Sequence, residues 1–198
     1  ADGAEVFVIP VQEAKPGKLE QCWEPGPIAD SRFTEEEMAK IKPPAKAPKD
    51  GGAAVDIKTA VEKAAPGWAA RDCGPDMSPG LREDFRGRKN VLVTHPLNEQ
   101  TACTLTNTVT APPGKKTSLR LAVSHHDEGD WELIVKADGK ELLKTIVGKA
   151  SATKDGWLET SLDLSAFAGR TVKLELLNQP NGWSWEAGYW AEIAIRSE

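Results

Sequence analysis

From Val91 onward the sequence alternates apolar and polar residues with a period of two, the pattern of half-buried β-strands. About eight such segments follow at roughly 10–15-residue spacing without a long helix between them, and Asp138-Gly139 is a two-residue hairpin signal. Because each sheet would have one apolar face, two sheets must pack together. The pattern predicts a mainly β, antiparallel two-sheet sandwich. Its strands contain Val91–Val93, Thr101–Thr110, Leu119–Val123, Trp131–Ala137, Leu142–Val147, Leu158–Leu164, Val172–Leu176 and Ala191–Ile195.

Alternation also predicts how the last strand faces the core. It places Ala191, Ile193 and Ile195 on one face and Trp190 with Glu192 on the other. We therefore expect Trp190 and Ile193 to lie on opposite sides of the sheet.

The residues before the sandwich have a different character. Up to Pro96 the chain carries 11 of its 14 prolines. A capping box at Thr34 predicts one short helix, and apolar spacing predicts a second over Asp56–Ala65. We expect a largely irregular, Pro-rich segment over 1–66, packed on or linked to a sandwich domain over 67–198.

Charge and hydropathy exclude several classes of function. The 198 residues carry 25 Lys and Arg against 30 Asp and Glu, a net charge of −5. A mildly acidic chain without a basic stretch is a poor candidate for nucleic-acid binding. No apolar run approaches the ~18 residues of a membrane span. The Ala-Asp-Gly start fits a cleaved secreted chain or a trimmed one.

The three cysteines permit at most one internal disulfide. In a secreted chain we expect it to join Cys22 to Cys73, since both lie in loops flanked by Pro or Gly, leaving Cys103 as a buried free thiol. None of them lies in a CxxC motif. Cys73 as a nucleophile would need a nearby histidine, and we regard a bridged or half-buried Cys73 as the better interpretation.

Two loops between predicted strands carry the candidate site. In the first, His125–Asp130, the alternatives are a solvated turn with an unusual backbone angle at Gly129, a ligand or calcium contact, and a transition-metal site. In the second, Asn178–Trp190, four aromatic residues fall among polar ones. An extended backbone would put Trp183 and Trp185 on one face. There they would either stack on a ligand or fill the end of the core as buried side chains.

We therefore predict a ligand site from both loops, on the condition that their preceding strands run in the same direction. Trp183 and Trp185 would stack on the ligand. Hydrogen bonds would come from Asn181, Glu186, His126 and Asp130.

Two segments resemble a known group of proteins. Asp163–Leu174 resembles the passage between late strands of jelly-roll modules in the galactose-binding-like superfamily, and Tyr189–Ile195 resembles their final strand. The resemblance covers about 90–198 and implies a jelly-roll sandwich. The pattern from Gly129-Asp130-Trp131 through Asn181–Glu186 also resembles modules of large secreted planctomycete-type proteins.

The resemblance implies carbohydrate binding, attachment to secreted proteins and, in many such modules, a structural calcium ion. Glu192 would be the calcium ligand from the last strand, with Asp72, Asp76 or Glu83 as its partner. The alternative for Glu192 is a surface ion pair with Arg196 or Arg170, which contributes little to stability.

The sequence thus predicts a non-catalytic carbohydrate-binding module of a secreted protein, with a glycan as partner. The first alternative is a structural or protein-interaction domain of a larger extracellular protein. The second is a glycan-active enzyme that uses acidic residues, although no G-x-S-x-G, H-E-x-x-H or P-loop motif is present.

Overall fold

The computed structural model describes residues 56–198. The chain divides into two units, Ala1–Asp50 and Gly51–Glu198. The helix predicted at Thr34 and the position of Cys22 lie outside the described residues. Within them, no helix is long and apolar enough to cross a membrane.

Residues 56–198 form a mainly β, antiparallel jelly-roll sandwich of two five-stranded sheets, which confirms the predicted fold class. The first sheet has the order β1-β4-β9-β6-β7 and the second β2-β3-β10-β5-β8. The strands are β1 Ala69–Arg71, β2 Gly80–Phe85, β3 Arg88–Thr94, β4 Cys103–Thr110, β5 Thr117–Ser124, β6 Trp131–Ala137, β7 Lys140–Val147, β8 Trp157–Asp163, β9 Thr171–Gln179 and β10 Gly188–Ser197.

The main core lies between the sheets and follows the predicted alternation. Every second residue of β5, β6 and β9 is fully or almost fully buried there. Burying one such side chain stabilises the fold by roughly 1.5–3 kcal/mol. The sandwich is therefore held mainly by these inward faces, which include Leu119, Leu121, Val123, Trp131, Leu133, Val135, Val172, Leu174 and Leu176.

A β-bulge at Ala191 makes the predicted facing of the last strand wrong. Trp190 pairs with Val123 and Glu192 with Ala122, so Ala191 has no partner of its own on β5. An extra residue in one strand reverses the alternation on its far side. Trp190 therefore lies in the main core on the same side as Ile193.

The predicted second helix is present as α1, Ile57–Ala64. The carboxylate of Asp56 accepts a hydrogen bond from the Lys58 amide and caps its first turn. Ala60 and Val61 are buried in the main core, together with Trp68. The helix lies before the boundary predicted at 66/67, yet its apolar face packs into the core of the sandwich.

A second, smaller cluster covers the outer face of the sheet that contains β3, β10 and β8. The β2–β3 hairpin contributes Phe85, whose ring stacks on Tyr189 with centroids 4.0 Å apart and meets Trp157 edge-on at 6.1 Å. Val91 and Val93 complete this outer cluster. The hairpin is thus fixed against the sheet by aromatic packing as well as by strand pairing.

The disulfide joins Cys73 to Cys103, with Cα atoms 4.2 Å apart, so the predicted pairing of Cys22 with Cys73 is wrong. Cys103, expected to be a free thiol, opens β4, and Cys73 follows β1, which pairs with β4. Strand pairing therefore brings these two residues together, a proximity that loop composition does not reveal. A bridged Cys73 also has no free thiol to act as a nucleophile.

Candidate functional site

The loops of the predicted site meet at one end of the sandwich. Gly188 at the start of β10 pairs with Thr94 at the end of β3, and Tyr189 pairs with Ser124 at the end of β5. Strands β5 and β9 therefore end on the same side, which satisfies the condition set by the sequence. We call this the loop end; its connections are 95–102, 125–130, 148–156 and 180–187.

Direct contacts join the two predicted loops. The Asn181 side-chain amide donates a hydrogen bond of 2.6 Å to the Asp130 carboxylate. The His126 imidazole stacks on the Trp185 indole with centroids 4.6 Å apart and planes 9° from parallel. Four of the predicted ligand-binding residues are thus neighbours.

Gly129 allows this close approach. A Cβ atom there would lie 2.5 Å from Trp185 Cβ and would also clash with the Ser184 carbonyl oxygen. The prediction that Gly129 has an unusual backbone angle is wrong, because its φ is not positive. Glycine is needed here for space between the loops.

Trp183 and Trp185 do not share a face, because the loop is not extended. Both have left-handed backbones, with φ of 60° and 61°, a conformation that costs bulky residues about 1–3 kcal/mol each. Trp183 is half-buried, and its ring centroid lies 5.3 Å from that of His95. Trp185 is 47% exposed. Neither belongs to the two apolar clusters, and Trp185 is the more exposed of the two.

Glu186 stabilises the loop from inside. Only 1% of its surface is exposed, and its two oxygens accept hydrogen bonds from the backbone amides of Asn181 (2.9 Å) and Ser184 (3.2 Å). Glu186, which the sequence predicted to contact the ligand, therefore stabilises the conformation of the loop that carries Trp183 and Trp185. Burial raises the pKa of the Glu186 carboxyl above its ordinary value of 4.5, against the opposing effect of the backbone amides.

This shift gives a pH dependence that the variant Glu186→Gln isolates. Because the native state holds the proton more tightly than the unfolded chain, the contribution of Glu186 to stability is fully present below pH ~4.5 and is lost as pH rises through the native pKa. We expect the free energy of unfolding of the wild type, relative to Glu186→Gln, to fall between pH 4.5 and 7. Urea denaturation of both proteins across this range measures it, and a difference that rises with pH would contradict it.

The Nδ1 atoms of the adjacent residues His125 and His126 have opposite hydrogen-bonding roles. His125 Nδ1 lies 2.6 Å from the His126 carbonyl oxygen and 3.1 Å from that of Gly129, so it donates. His126 Nδ1 accepts from the Glu128 amide at 3.2 Å, so its proton is on Nε2. These hydrogen bonds keep the loop 125–130 folded back on itself, with His126 against Trp185.

A buried polar network that sequence reasoning missed connects the loop end to the core. The Asn178 side-chain amide donates to Thr94 Oγ1 (3.1 Å), to the Thr94 carbonyl (3.2 Å) and to the Glu186 carbonyl (3.2 Å). Trp190 Nε1 donates to the same Thr94 hydroxyl at 2.9 Å. Asn178 of β9 is therefore bonded both to β3 in the opposite sheet and to the connection 180–187, which we call the aromatic loop.

Two cavities lie beside loop 125–130, and the sequence did not predict them because the connection 148–156 has no aromatic residue. The larger has a volume of about 640 Å³ and lies between that connection and Arg86 at the tip of the β2–β3 hairpin. The smaller, about 340 Å³, is bordered by Asp130 and Gly129. Both fall within the ~300–1,000 Å³ typical of small-molecule sites.

The two carboxylates predicted to bind calcium, Glu192 and Asp72, each lie beside an arginine. The Glu192 carboxylate lies 4.0 Å from Arg120, and that of Asp72 lies 2.7 Å from its neighbour Arg71. Across residues 56–198, no three His, Cys, Asp or Glu side chains cluster as metal ligands. Calcium stays a prediction from the resemblance.

No family model and no curated protein matches this chain. Among solved structures, a CBM35 from Paenibacillus barcinonensis is 13% identical, with 68% of this chain and 96% of that chain covered at a TM-score of 0.42. TmCBM61 in complex with beta-1,4-galactotriose is 13% identical over 70% and 94%, at 0.46. The K3 cleaved adhesin domain of Lys-gingipain from Porphyromonas gingivalis is 11% identical over 68% and 95%, at 0.45. With sequence identities and TM-scores this low, the ligands of these proteins are not assigned to this chain.

Proposed function

We propose that this chain is a non-catalytic carbohydrate-binding domain that takes its glycan at the loop end. The observation that carries the proposal is Trp185, an indole 47% exposed, beside the polar side chains of Asn181 and Asp130. Sugar rings present C–H faces that pack on an indole, while their hydroxyls bond to amides and carboxylates. An apolar surface with a few oriented polar groups is what a small-molecule site requires.

The rigidity of the aromatic loop supports binding. One face of the Trp185 ring rests on His126, and Glu186 holds the backbone on both sides of Trp183. A side chain already held in position loses little conformational entropy when a ligand arrives. The left-handed backbone at both tryptophans is the kind of local strain that clusters at ligand sites.

The alternatives have less support at this end of the fold. A protein-binding surface usually has an apolar, aromatic-rich centre, whereas the two cavities at this end are lined by seven charged side chains. An enzyme that used Glu186 as its acid would need this carboxyl group within reach of substrate, and only 1% of the residue is exposed. The disulfide favours an extracytoplasmic location, since such bonds persist in oxidising compartments.

Substituting Trp185 with alanine tests the proposal. On a glycan retained by the wild type in an array, we expect Trp185→Ala to weaken binding about 30-fold or more, the effect of losing an aromatic hot spot of about 2 kcal/mol. The melting temperature should change little, because about half of Trp185 is exposed and the residue belongs to neither apolar cluster. Titration calorimetry and thermal unfolding measure the two effects.

Leu97→Ala is the matched control, since Leu97 is 45% exposed at the same end. It should leave both affinity and melting unchanged. Wild-type protein that binds no glycan in the array would overturn the proposed function, as would a Trp185→Ala variant that binds as tightly as the wild type.

A further inference from the structure

The two cavities adjoin one another and the aromatic loop. Asp127 and Lys149 line both of them, so the cavities lie on either side of this pair of residues. His126, which stacks on Trp185, stands in the chain between His125 and Asp127, and both of these line the larger cavity. Trp185 and the two cavities thus border one short segment of loop 125–130. We call the two cavities together the groove.

One wall of the groove has a fixed arrangement of polar groups. The Arg86 guanidinium donates to the Gly156 carbonyl (3.0 Å) and the Ser124 hydroxyl (3.1 Å) and pairs with Asp127. A Cβ at Gly156 would clash with this guanidinium, so only glycine at this position leaves room for the Arg86 side chain. The groove wall formed by the hairpin tip is therefore built into the fold.

His125 supports this wall from behind. Only 2% of its surface is exposed, and its Nδ1 donates to the carbonyl oxygens of His126 (2.6 Å) and Gly129 (3.1 Å). These bonds hold the part of loop 125–130 that places Asp127 beside Arg86.

The side chains that line the groove carry charges of both signs, and these charges nearly cancel. A polymer of uniform charge would meet like charges at several points, which costs binding energy. A hydroxyl group, which both donates and accepts, can bond to an ammonium and a carboxylate at once. The groove has three cationic side chains and four carboxylates, namely Arg86, Lys149 and Lys154 with Asp127, Glu128, Asp130 and Asp155.

We propose that the groove binds further sugar units of a neutral polysaccharide whose first ring stacks on Trp185. This inference rests on the proposed function and adds the ligand class: an uncharged chain of several units, in preference to a single sugar or a charged polymer. Lys149 is its key residue, because it is exposed, borders both cavities and forms no ion pair with the described residues. Removing it should leave the fold unchanged.

The test uses the whole chain and measures affinity against ligand length. The probes are gluco-, galacto-, manno- and xylo-oligosaccharides of one to six units, with polygalacturonate and chitosan as charged polymers. For the series that binds, we expect wild-type affinity to rise at least tenfold from one unit to four. Lys149→Ala should remove most of that gain and leave the affinity for the single sugar unchanged.

Lys140→Ala is the control, since Lys140 is an exposed lysine at the opposite end of the sandwich. It should behave as the wild type with every probe. The inference is overturned if affinity does not depend on length, if Lys149→Ala matches Lys140→Ala, or if a charged polymer binds more tightly than the neutral series. Binding that needs Trp185 but not Lys149 overturns this inference alone, whereas no binding by any probe overturns the proposed function as well.

Discussion

Removing the disulfide with the double variant Cys73→Ala/Cys103→Ala is expected to lower the free energy of unfolding by about 3.5 kcal/mol. The two residues are 30 positions apart, and a bridge that closes a loop of this length restricts the unfolded chain by about that amount in the chain-entropy model. Guanidinium denaturation of the double variant and the wild type measures the difference. The bridge also lies beside the site, because Cys73 pairs with Pro96 next to His95.

Cys22→Ala is the matched control for this prediction. With Cys73 and Cys103 bridged to each other, it should leave the denaturation midpoint unchanged, and the denatured wild type should present one reactive thiol. If Cys22→Ala destabilises the protein as much as the double variant does, the bridge involves Cys22 instead.

Replacing Asn178 with aspartate should cost about 3 kcal/mol or more, the scale for leaving a charge buried without a partner. The change keeps the shape of the side chain but turns its donor into an oxygen that faces three acceptor oxygens, in a residue that is fully buried. Thermal unfolding should show a melting temperature lower by about 6 °C or more.

The pH dependence and a control separate this charge effect from a packing defect. The deficit of Asn178→Asp should shrink as pH falls, because a protonated carboxyl regains a donor. Asn98→Asp makes the same chemical change at an exposed position, where an Asp oxygen can still accept the hydrogen bond from the Gln100 amide, and should be nearly neutral. A deficit in Asn178→Asp that is independent of pH would contradict the explanation by charge.

The sandwich could be predicted from sequence wherever burial alone decides which way a residue points. Strands β5, β6 and β9 show this, because each buries one full face. Strand β2 was missed, since its Arg, Glu and Asp residues are held by pairing with β3 and show no apolar alternation. The bulge at Ala191 was missed for a related reason: it is a feature of register with β5, which a single strand does not encode.

For the candidate site, the sequence predicted that two loops lie together, whereas the site itself stays a prediction. The polar and aromatic composition of two loops identified Trp185, His126, Asn181 and Asp130, which the structure brings together. It could not separate these from Glu186, whose carboxylate is buried by the conformation of the loop. Backbone angles at the tryptophans and the contribution of 148–156 depend on tertiary contacts, so no local pattern indicates them.

Because the outer cluster beneath the β2–β3 hairpin is separate from the main core, an unchanged melting temperature does not show that the hairpin is intact. A substitution at Phe85 would loosen Arg86, the wall of the larger cavity, and leave the main core between the sheets intact. Global melting follows that main core, whereas local opening of a hairpin has its own, lower free energy. Amide hydrogen exchange across 80–94 is therefore the measurement that distinguishes a residue touching the ligand from one that supports the wall.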